Sequence, residues 1–397
     1  MATAIKEAKV TSLNTQSVSS TVDPREQLLS NIRGSQVVIP DLQTMISHWP
    51  QRTHPDVEKL DEFIQETITS ISSGVHNTAR LRKLKEMNLA AFVASWWPYA
   101  ISYEALETLA LLAIWLFAWD DETDSAELST IVNDWDKGSM FRQRTADFIQ
   151  QSLSRNPKSM RTETNPLITC AGPIGDALLK SCSDPLGQVG TFLKEVLFFI
   201  KMCGEEQRFQ LAHRLPTVEE YTQYRSGTGA IRICLATIEY ISRVHATLGM
   251  ELSKSHRYAW GISLSQELLD DDDMRQIWRH TDLIIYVYAI HSRHNLQGAD
   301  IIRTNDMLSM KKEVEQSQVD SLIPLLSLQL GSVQAAVNYA VEIVHSSVLR
   351  FEAAEKRILQ RYSSMSEICE DIRKFIDGCK YAATANLNWR YVAVDLL

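Results

Sequence analysis

Glycine and proline are scarce in this chain. Only 15 glycines and 11 prolines occur among 397 residues, whereas the two residue types together make up about 12% of an average protein. No proline lies between Pro216 and Pro324 or after Pro324. Domains that contain sheets need more turn residues than this, so the sequence predicts long helices and an all-α fold.

Patterned cysteines and apolar runs of membrane length are also missing. The six cysteines form no CxxC pair and have no zinc-type spacing with histidine, which predicts free thiols and a reducing compartment. The N-terminus lacks the apolar core of a signal peptide. The longest apolar run, residues 109–119, is too short to cross a bilayer. We therefore expect a cytoplasmic protein with no membrane partner.

The charge balance argues against a nucleic-acid partner. The chain has 40 basic and 49 acidic residues, a formal net charge of -9, and nucleic acids favour a basic face. A phosphorylated small molecule stays compatible with this charge, because a divalent metal can bridge carboxylates to phosphate oxygens. The sequence contains no P-loop, no G-x-G-x-x-G and no G-x-S-x-G motif.

The sequence predicts one helical domain behind a tail. Residues 1–36 are rich in Ser, Thr and Gln without periodicity, which predicts a disordered tail. Residues 37–397 show no internal repeat and no change of composition, so we expect one α-helical domain. Ser102 is the predicted N-cap of its most apolar helix, from Tyr103 into Asp120. Other helices are predicted at 57–72, 80–94, 186–203, 217–227, 230–248, 274–290, 298–318, 332–361 and 365–392.

Four acids occur within five residues at the end of the most apolar helix, in the segment Asp120 to Asp124. Asp120 and Asp124 are four residues apart and project from one helical face. Carboxylates this close repel one another, and hard divalent cations would relieve the repulsion. The alternative is a solvated, frayed helix end, which explains most acidic runs but not so apolar a helix before it.

A second polar stripe lies further along the chain. Asn305, Ser309 and Glu313 are spaced by four residues, and Lys312 falls on nearly the same helical face. The three oxygen donors suit magnesium, and the lysine suits a phosphate oxygen bound to that metal. The polar face of an ordinary surface helix is the alternative.

Arginine and tyrosine occur together in two further places. Tyr221 and Arg225 share a helical face after a capping box, and glycines at 227 and 229 should break the helix just beyond the arginine. Arg390 and Tyr391 are neighbours near the C-terminus and could close over an anion. Each of these two pairs, taken alone, is explained equally simply by an ordinary arginine on the protein surface.

Other charged clusters favour structural roles. The run from Asp270 to Asp273 precedes an amphipathic helix and is typical of a helix N-terminal cluster. Glu342 and His345 form a single Glu-x-x-His motif, whereas di-iron bundles need two. His291 and His294 lack the partners of a zinc site or a catalytic triad.

In combination these motifs resemble those of class I terpene synthases, and in detail those of fungal sesquiterpene synthases. Asp120 to Asp124 resembles the aspartate-rich motif, and Asn305, Ser309 and Glu313 with Lys312 resemble the NSE motif. Arg225 resembles the diphosphate-sensing arginine, with Thr228 and Gly229 at the effector loop. Arg390 and Tyr391 are similar to the terminal Arg-Tyr pair. The resemblance covers about residues 40–397.

The resemblance implies a class I terpenoid synthase bundle that ionises and cyclises a prenyl diphosphate, most simply farnesyl diphosphate, as a monomer or weak homodimer. It implies three Mg2+ ions, with Asp120 and Asp124 on one side of the cluster and Asn305, Ser309 and Glu313 on the other. Arg225, Lys312, Arg390 and Tyr391 would bind the diphosphate, and Asp120, Arg225 and Lys312 would be the catalytic residues. Phe117, one turn before Asp120, is the expected wall residue, while core packing is the simpler role for Trp96 and Trp97.

One departure from the family concerns length. Arg225 and Asn305 are 80 residues apart (305 − 225), more than the family usually has between these motifs. The extra residues between the two motifs lie at 253–264 and 288–303. They are either surface loop insertions or translated intron remnants. Two other functions stay open, a chain-elongating prenyltransferase and a non-catalytic helical scaffold.

Overall fold

The computed structural model describes residues 23–72, 78–125, 127–154, 163–181, 189–238, 262, 264–288 and 319–395, with only the backbone for 72, 181, 288 and 390–395. All regular elements in these residues are helical, as predicted. In chain order they are α1 Pro24–Ile32, a 3-10 turn Leu42–Ile46, α2 Val57–Ser72, α3 Thr78–Glu86, α4 Leu89–Trp96, α5 Tyr103–Asp124, α6 Trp135–Ser152, α7 Pro166–Thr169, α8 Gly172–Ser181, α9 Gly190–Leu211, α10 Val218–Thr228, α11 Ile231–Ala236, α12 Gln266–Leu269, α13 Asp272–Tyr288, α14 Leu322–Leu330, α15 Val333–Arg361 and α16 Ser366–Asp395.

Helix α5 is the central element. Its N-terminus is capped as predicted, because Ser102 Oγ accepts a hydrogen bond from Ala105 N at 3.2 Å. The helix is buried nearly all round, which its uniformly apolar sequence requires. It contacts α2, α3, α4, α8 and α9, and its last turn carries the acidic motif.

The remaining long helices enclose the C-terminal half of α5. Helix α13 packs against α15 and α16, α16 also packs against α4, and α10 packs against α9. The chain therefore brings α4, α5, α9, α10, α11 and α16 around one interior space.

The predicted tail is too long. Residues 24–32 form α1, whose side chains Leu28, Leu29 and Ile32 are buried in the core. Arg25 on this helix pairs with Asp320 at 2.6 Å. The prediction of a disordered tail over 1–36 is therefore wrong for these residues, because three apolar side chains can anchor a short capped helix. Residues 1–22 lie outside the described part of the chain.

The single helix predicted at 80–94 is two helices. Helix α3 ends at Glu86, and Asn88 adopts a left-handed conformation with φ of 50° while capping α4 through Ala91 N. Asparagine tolerates this conformation better than most residues, so the chain turns here without glycine or proline. Both helices contact α2 and α5, and α4 also packs against α16.

Of the other predicted helices, some agree with the structure and others lie outside the described residues. The helices predicted at 57–72, 217–227, 332–361 and 365–392 agree with α2, α10, α15 and α16 within a few residues. The sequence patterns missed α6, α7, α8, α12 and α14. The predicted helix 298–318 lies outside the described residues, as do the surplus segments except for residues 262, 264 and 288.

The structure agrees with the structural interpretation of Asp270 to Asp273. Asp273 forms ion pairs with Arg357 at 2.7 Å and with Arg361 at 2.6 Å. These ion pairs connect the acidic first turn of α13 to α15. Glu342 and His345 are both on α15, away from the cavity described below. His291 and His294 lie outside the described residues.

The cysteine and membrane predictions can be checked on part of the chain. The five cysteines in the described segments are all free thiols, and Cys182 is outside them. Among the helices described above, none combines the length and the apolar character needed to cross a bilayer.

Candidate active site

One cavity lies between the helices around the C-terminal half of α5. Its empty volume is about 630 Å3, part of it open to solvent. Two charged side chains line it, Asp120 from α5 and Arg225 from α10, and most other lining groups are aromatic or aliphatic. The structure therefore places two predicted site residues, 105 positions apart in sequence (225 − 120), on one cavity.

Asp120 is held in a buried part of the acidic motif. Asp120 is 7% exposed and Asp121 only 2% exposed. Thr123 Oγ1 donates back to the main-chain oxygens of Trp119 and Asp120 at 3.4 and 3.2 Å, inside the last turn of α5. Asp120 and Asp121 are therefore buried in an ordered helical turn, which argues against a solvated, frayed helix end as the explanation of the acidic run.

Helix α3 supplies cations to the two middle acids of the motif. Lys83 pairs with Asp121, and both side chains are almost fully buried. Arg80 pairs with Glu122 and also donates to Leu128 O at 3.1 Å. Two of the four negative charges are therefore compensated from the side of α5 that faces α3.

The other two acids of the motif, Asp120 and Asp124, differ from each other in their surroundings. Asp120 lines the cavity, whereas Asp124 accepts a hydrogen bond from Gln210 Nε2 at 3.1 Å. A carboxylate in a largely apolar cavity fits an oxygen-preferring divalent cation. Among the residues that the structure describes, no three metal-binding side chains come together, so this donor set is at most part of a site.

Arg225 lies at the C-terminal end of α10, next to a break in the helix. Its Nη1 donates to Thr228 Oγ1 at 3.2 Å, which orients the guanidinium. Helix α10 is capped at Gly229, and Ala230 adopts a left-handed conformation with φ of 55° before α11 begins. The predicted helix break is thus confirmed, and residues 228–230 line the cavity beside the arginine.

Gly227 allows α10 to approach α9 closely, and its replacement is a test of this packing. A Cβ at position 227 would lie 2.3 Å from Met202 Cγ and 2.6 Å from Met202 Cβ. We expect Gly227→Ala to destabilise the fold by about 1–3 kcal/mol through overpacking, measured by urea unfolding. Gly229→Ala is the matched control, since its Cβ meets nothing nearer than 3.3 Å; equal effects of the two variants would refute this explanation.

Aromatic side chains form much of the cavity wall. Phe117 lines the cavity as predicted, and so does Trp96. Trp389 lies 4.9 Å from Phe92 and 6.1 Å from Phe117 between ring centroids, and its indole donates to Met87 O at 3.1 Å. Trp97 is fully buried against Phe92, which agrees with core packing.

Glu206, which the sequence reasoning missed, is an acid close to the two charged cavity residues. Burial raises its pKa to about 7, Arg225 opposes the rise, and Asp120 and Asp320 add to it. The carboxyl of α9 thus lies in the electrostatic surroundings of both charged cavity residues. The pair Glu205–Glu206 is typical of a surface turn of a helix, and only the packing of α9 brings Glu206 into the electrostatic surroundings of Arg225 and Asp120.

Asp282 on α13 is a second buried acid near the site. Desolvation raises its pKa to about 7, against the favourable charges of Arg232 and Arg225. Its Oδ1 is buried without a hydrogen-bond partner in the described part of the chain. An acid of this kind keeps its proton at a pH where an exposed aspartate has lost it.

Asp282 should make the stability of the protein depend on pH. Its pKa is about 7 in the fold against an ordinary 3.8, so between these values the unfolded chain is ionised while the fold is protonated. Stability should therefore fall as pH rises from about 4 to 7, by at most about 4 kcal/mol, and then level off. Metal-free melting curves should show that Asp282→Asn weakens this fall. The same change at the exposed Asp272 of α13 should leave it intact, and an unaltered profile in Asp282→Asn would contradict the assignment.

The other predicted site residues lie beyond what the structure describes. Asn305, Ser309, Lys312 and Glu313 are outside the described residues, and Arg390 and Tyr391 belong to α16 without a described side chain. The helices on either side of the undescribed segment 289–318, α13 and α14, both contact α10.

Comparison with known proteins agrees with this geometry. Residues 112–288 match the family described as "Terpene synthase family 2, C-terminal metal binding". The sesquiterpene cyclase hepA of Aspergillus oryzae is 25% identical over 94% of this chain and 92% of its own length. The terpene cyclase braA of Annulohypoxylon truncatum is 24% identical over 96% of this chain and 91% of its own length.

Solved structures share the fold at low sequence identity. Hedycaryol synthase, solved in complex with HEPES, superposes with a TM-score of 0.63 at 16% identity, over 91% of this chain and 99% of the other. The SVS_A2 protein from ancestral sequence reconstruction gives a TM-score of 0.66 at 14% identity, over 90% of each chain. The fold is thus that of the class I terpene synthases. The family match over residues 112–288, the nearly full-length likeness to fungal cyclases and this fold agree, and together they identify the chain as similar to the terpene cyclases.

Proposed function

We propose that this cyclase ionises farnesyl diphosphate in a magnesium-dependent reaction and cyclises the resulting cation to a sesquiterpene, with release of diphosphate. The observation that carries the proposal is that Asp120 and Arg225 line the same cavity, whose remaining walls are mostly apolar. A carboxylate and a guanidinium at one place suit a metal-bound diphosphate. The apolar walls suit the hydrocarbon chain attached to it.

The charged residues would act on the leaving group. Arg225, oriented by Thr228, would donate hydrogen bonds to the diphosphate as negative charge develops on it, which is electrostatic catalysis of bond cleavage. Asp120 would hold Mg2+, and Asp124 would contribute less because Gln210 already occupies one of its oxygens. Bound Mg2+, in our proposal three ions, would supply further positive charge to the departing diphosphate.

The second half of the polar site would come from residues outside the described structure. We assign Asn305, Ser309 and Glu313 to the metals, and Lys312, Arg390 and Tyr391 to the diphosphate, with Lys312 also acting in catalysis. Support for the first four comes from the chain on either side of them. Asp282, before the segment, interacts electrostatically with Arg225, and Asp320, after it, interacts with Glu206.

The apolar walls would govern the cation. Phe92, Phe117 and Trp389 line the cavity, and aromatic rings attract cations while excluding water. A substrate of 15 carbons is proposed because hepA, a relative over nearly the full length, is named a sesquiterpene cyclase. The cytoplasmic location and the monomer or weak homodimer stay predictions from the sequence.

Incubation with single prenyl diphosphates tests the proposal directly. With Mg2+ and farnesyl diphosphate we expect cyclic C15 products by gas chromatography–mass spectrometry, and none when EDTA removes the metal. Geranylgeranyl diphosphate tests a C20 substrate. Products that appear only when isopentenyl diphosphate is added would show a chain-elongating prenyltransferase. No conversion of any substrate would favour the helical scaffold.

The surplus segments need their own comparison. If residues 253–264 and 288–303 are intron remnants, a chain without them should cyclise at least as well as the full chain. If the trimmed chain loses an activity that the full chain has, these segments are functional insertions.

A further inference from the structure

Asn386 is an uncharged polar residue of the cavity wall. It lies on α16, one helical turn before Trp389, and both side chains line the cavity. Asn386 is 3% exposed. The same cavity wall contains the aromatic residues Phe92, Trp96 and Phe117.

The carboxamide of Asn386 has no partner in the described part of the chain. Its Nδ2 is buried without a hydrogen bond, and no hydrogen bond reaches its Oδ1 from the described residues. Trp96, across the packed pair of helices α4 and α16, likewise has a buried Nε1 without an acceptor among those residues. Buried polar groups are nearly always paired in folded proteins, so two such donors on one cavity indicate a polar occupant.

The chemistry of the amide narrows the kind of occupant. An amide presents both a donor and an acceptor, whereas a farnesyl chain has no acceptor atom and cannot satisfy Nδ2. Water both accepts and donates, and it is small enough to share the cavity with a substrate. The diphosphate end of the substrate belongs with Asp120 and Arg225, and a metal would prefer the charged oxygens of Asp120 to an uncharged amide.

We propose, on the basis of the function proposed above, that Asn386 holds a water molecule that becomes the hydroxyl group of a sesquiterpene alcohol. The water accepts a hydrogen bond from Asn386 Nδ2 through one lone pair and keeps its other lone pair free for the cyclised carbocation. A C–O bond forms between that lone pair and the cationic carbon. The resulting oxonium loses one proton to the released diphosphate, the strongest base in the cavity, so charge and atoms balance.

Isotope labelling and one apolar replacement test this assignment. In H2 18O, the wild-type chain should convert farnesyl diphosphate to an alcohol that carries 18O. Asn386→Leu, which has similar volume and no polar atoms, should lower the alcohol fraction at least about tenfold and raise the hydrocarbon fraction. The readout is the ratio of alcohol to hydrocarbon among the products, which a change in total turnover alone does not alter.

Asn388→Leu is the matched control on the same helix. Asn388 donates to Gln51 Oε1 at 2.9 Å and does not line the cavity, so its replacement should leave the product ratio as it is. The proposal is overturned if the wild-type products are hydrocarbons only, or if Asn386→Leu keeps the alcohol fraction of wild type.

A crystal structure separates this proposal from the proposed reaction. In the ligand-free protein, density for a water within hydrogen-bonding distance of Asn386 is expected, and its absence would overturn the water site whatever the enzyme makes. A water at Asn386 in a chain that converts no prenyl diphosphate would refute the proposed reaction and with it the role in quenching.

Discussion

Asp120→Asn is expected to lower the rate of farnesyl diphosphate conversion by at least about 100-fold, the order of loss seen when one electrostatic group of an active site is removed. Asp120 is the one acid of its motif that lines the cavity. An amide keeps the shape of the side chain but holds a divalent cation much less well. Rates should be measured at saturating Mg2+, by release of diphosphate and by product analysis.

The neighbouring acids provide the controls for this variant. Asp124→Asn should cost less activity, because Asp124 already accepts a hydrogen bond from Gln210. Asp121→Asn should lower stability, because Asp121 is the buried partner of Lys83. If Asp120→Asn converted substrate at the wild-type rate, Asp120 would have no part in catalysis.

Lys83→Met is expected to destabilise the protein by about 3–5 kcal/mol, the usual cost of removing one partner from a buried ion pair. Lys83 and Asp121 are 2% and 3% exposed. Without the ammonium, a carboxylate stays buried next to the other acids of the motif, and water cannot solvate it. Urea unfolding monitored by circular dichroism measures the loss.

Two companion variants separate the ion pair from other effects. Lys85→Met, at an exposed position of the same helix, should change stability by no more than about 0.5 kcal/mol. Lys83→Met with Asp121→Leu should recover most of the loss, since replacing both partners by apolar groups is often neutral. A single Lys83→Met variant as stable as wild type would show that α3 does not hold the acidic motif in place.

Local sequence patterns predicted the central helix of the fold, α5. The uniformly apolar stretch of α5 could only be a buried helix, and Ser102 marked its start as the structure has it. Helical geometry then placed Phe117 one turn before Asp120, and both line the cavity. Glycines at 227 and 229 indicated the break after Arg225, although the left-handed residue proved to be Ala230.

Contacts between helices that are distant in sequence could not be predicted from local sequence patterns. Lys83 and Arg80 meet acids 38 and 42 residues away, and nothing in their own helix distinguishes them from surface cations. Asn386 is separated from Asp120 by 266 positions (386 − 120), and it reaches the cavity because α16 packs on α4. Such residues are identified by where helices meet, which periodicity within one helix does not encode.

Turns without glycine or proline were a second source of error. The break at Asn88 divides a segment whose apolar spacing is continuous, so the pattern predicted one helix. Helix α1 is only 9 residues long, too short for periodicity to stand out from a Ser- and Thr-rich neighbourhood. Both features depend on tertiary contacts that stabilise a short or strained segment.

Thermal melting with inorganic diphosphate tests whether Asp120 and Arg225 serve one metal–diphosphate group. Mg2+ and diphosphate together, at about 100 times the dissociation constant, should stabilise the wild-type chain by about 2.7 kcal/mol, a shift of a few degrees. Either component alone should shift the melting temperature little. Both Asp120→Asn and Arg225→Gln should abolish the joint shift, and a full shift in either variant would contradict a shared site.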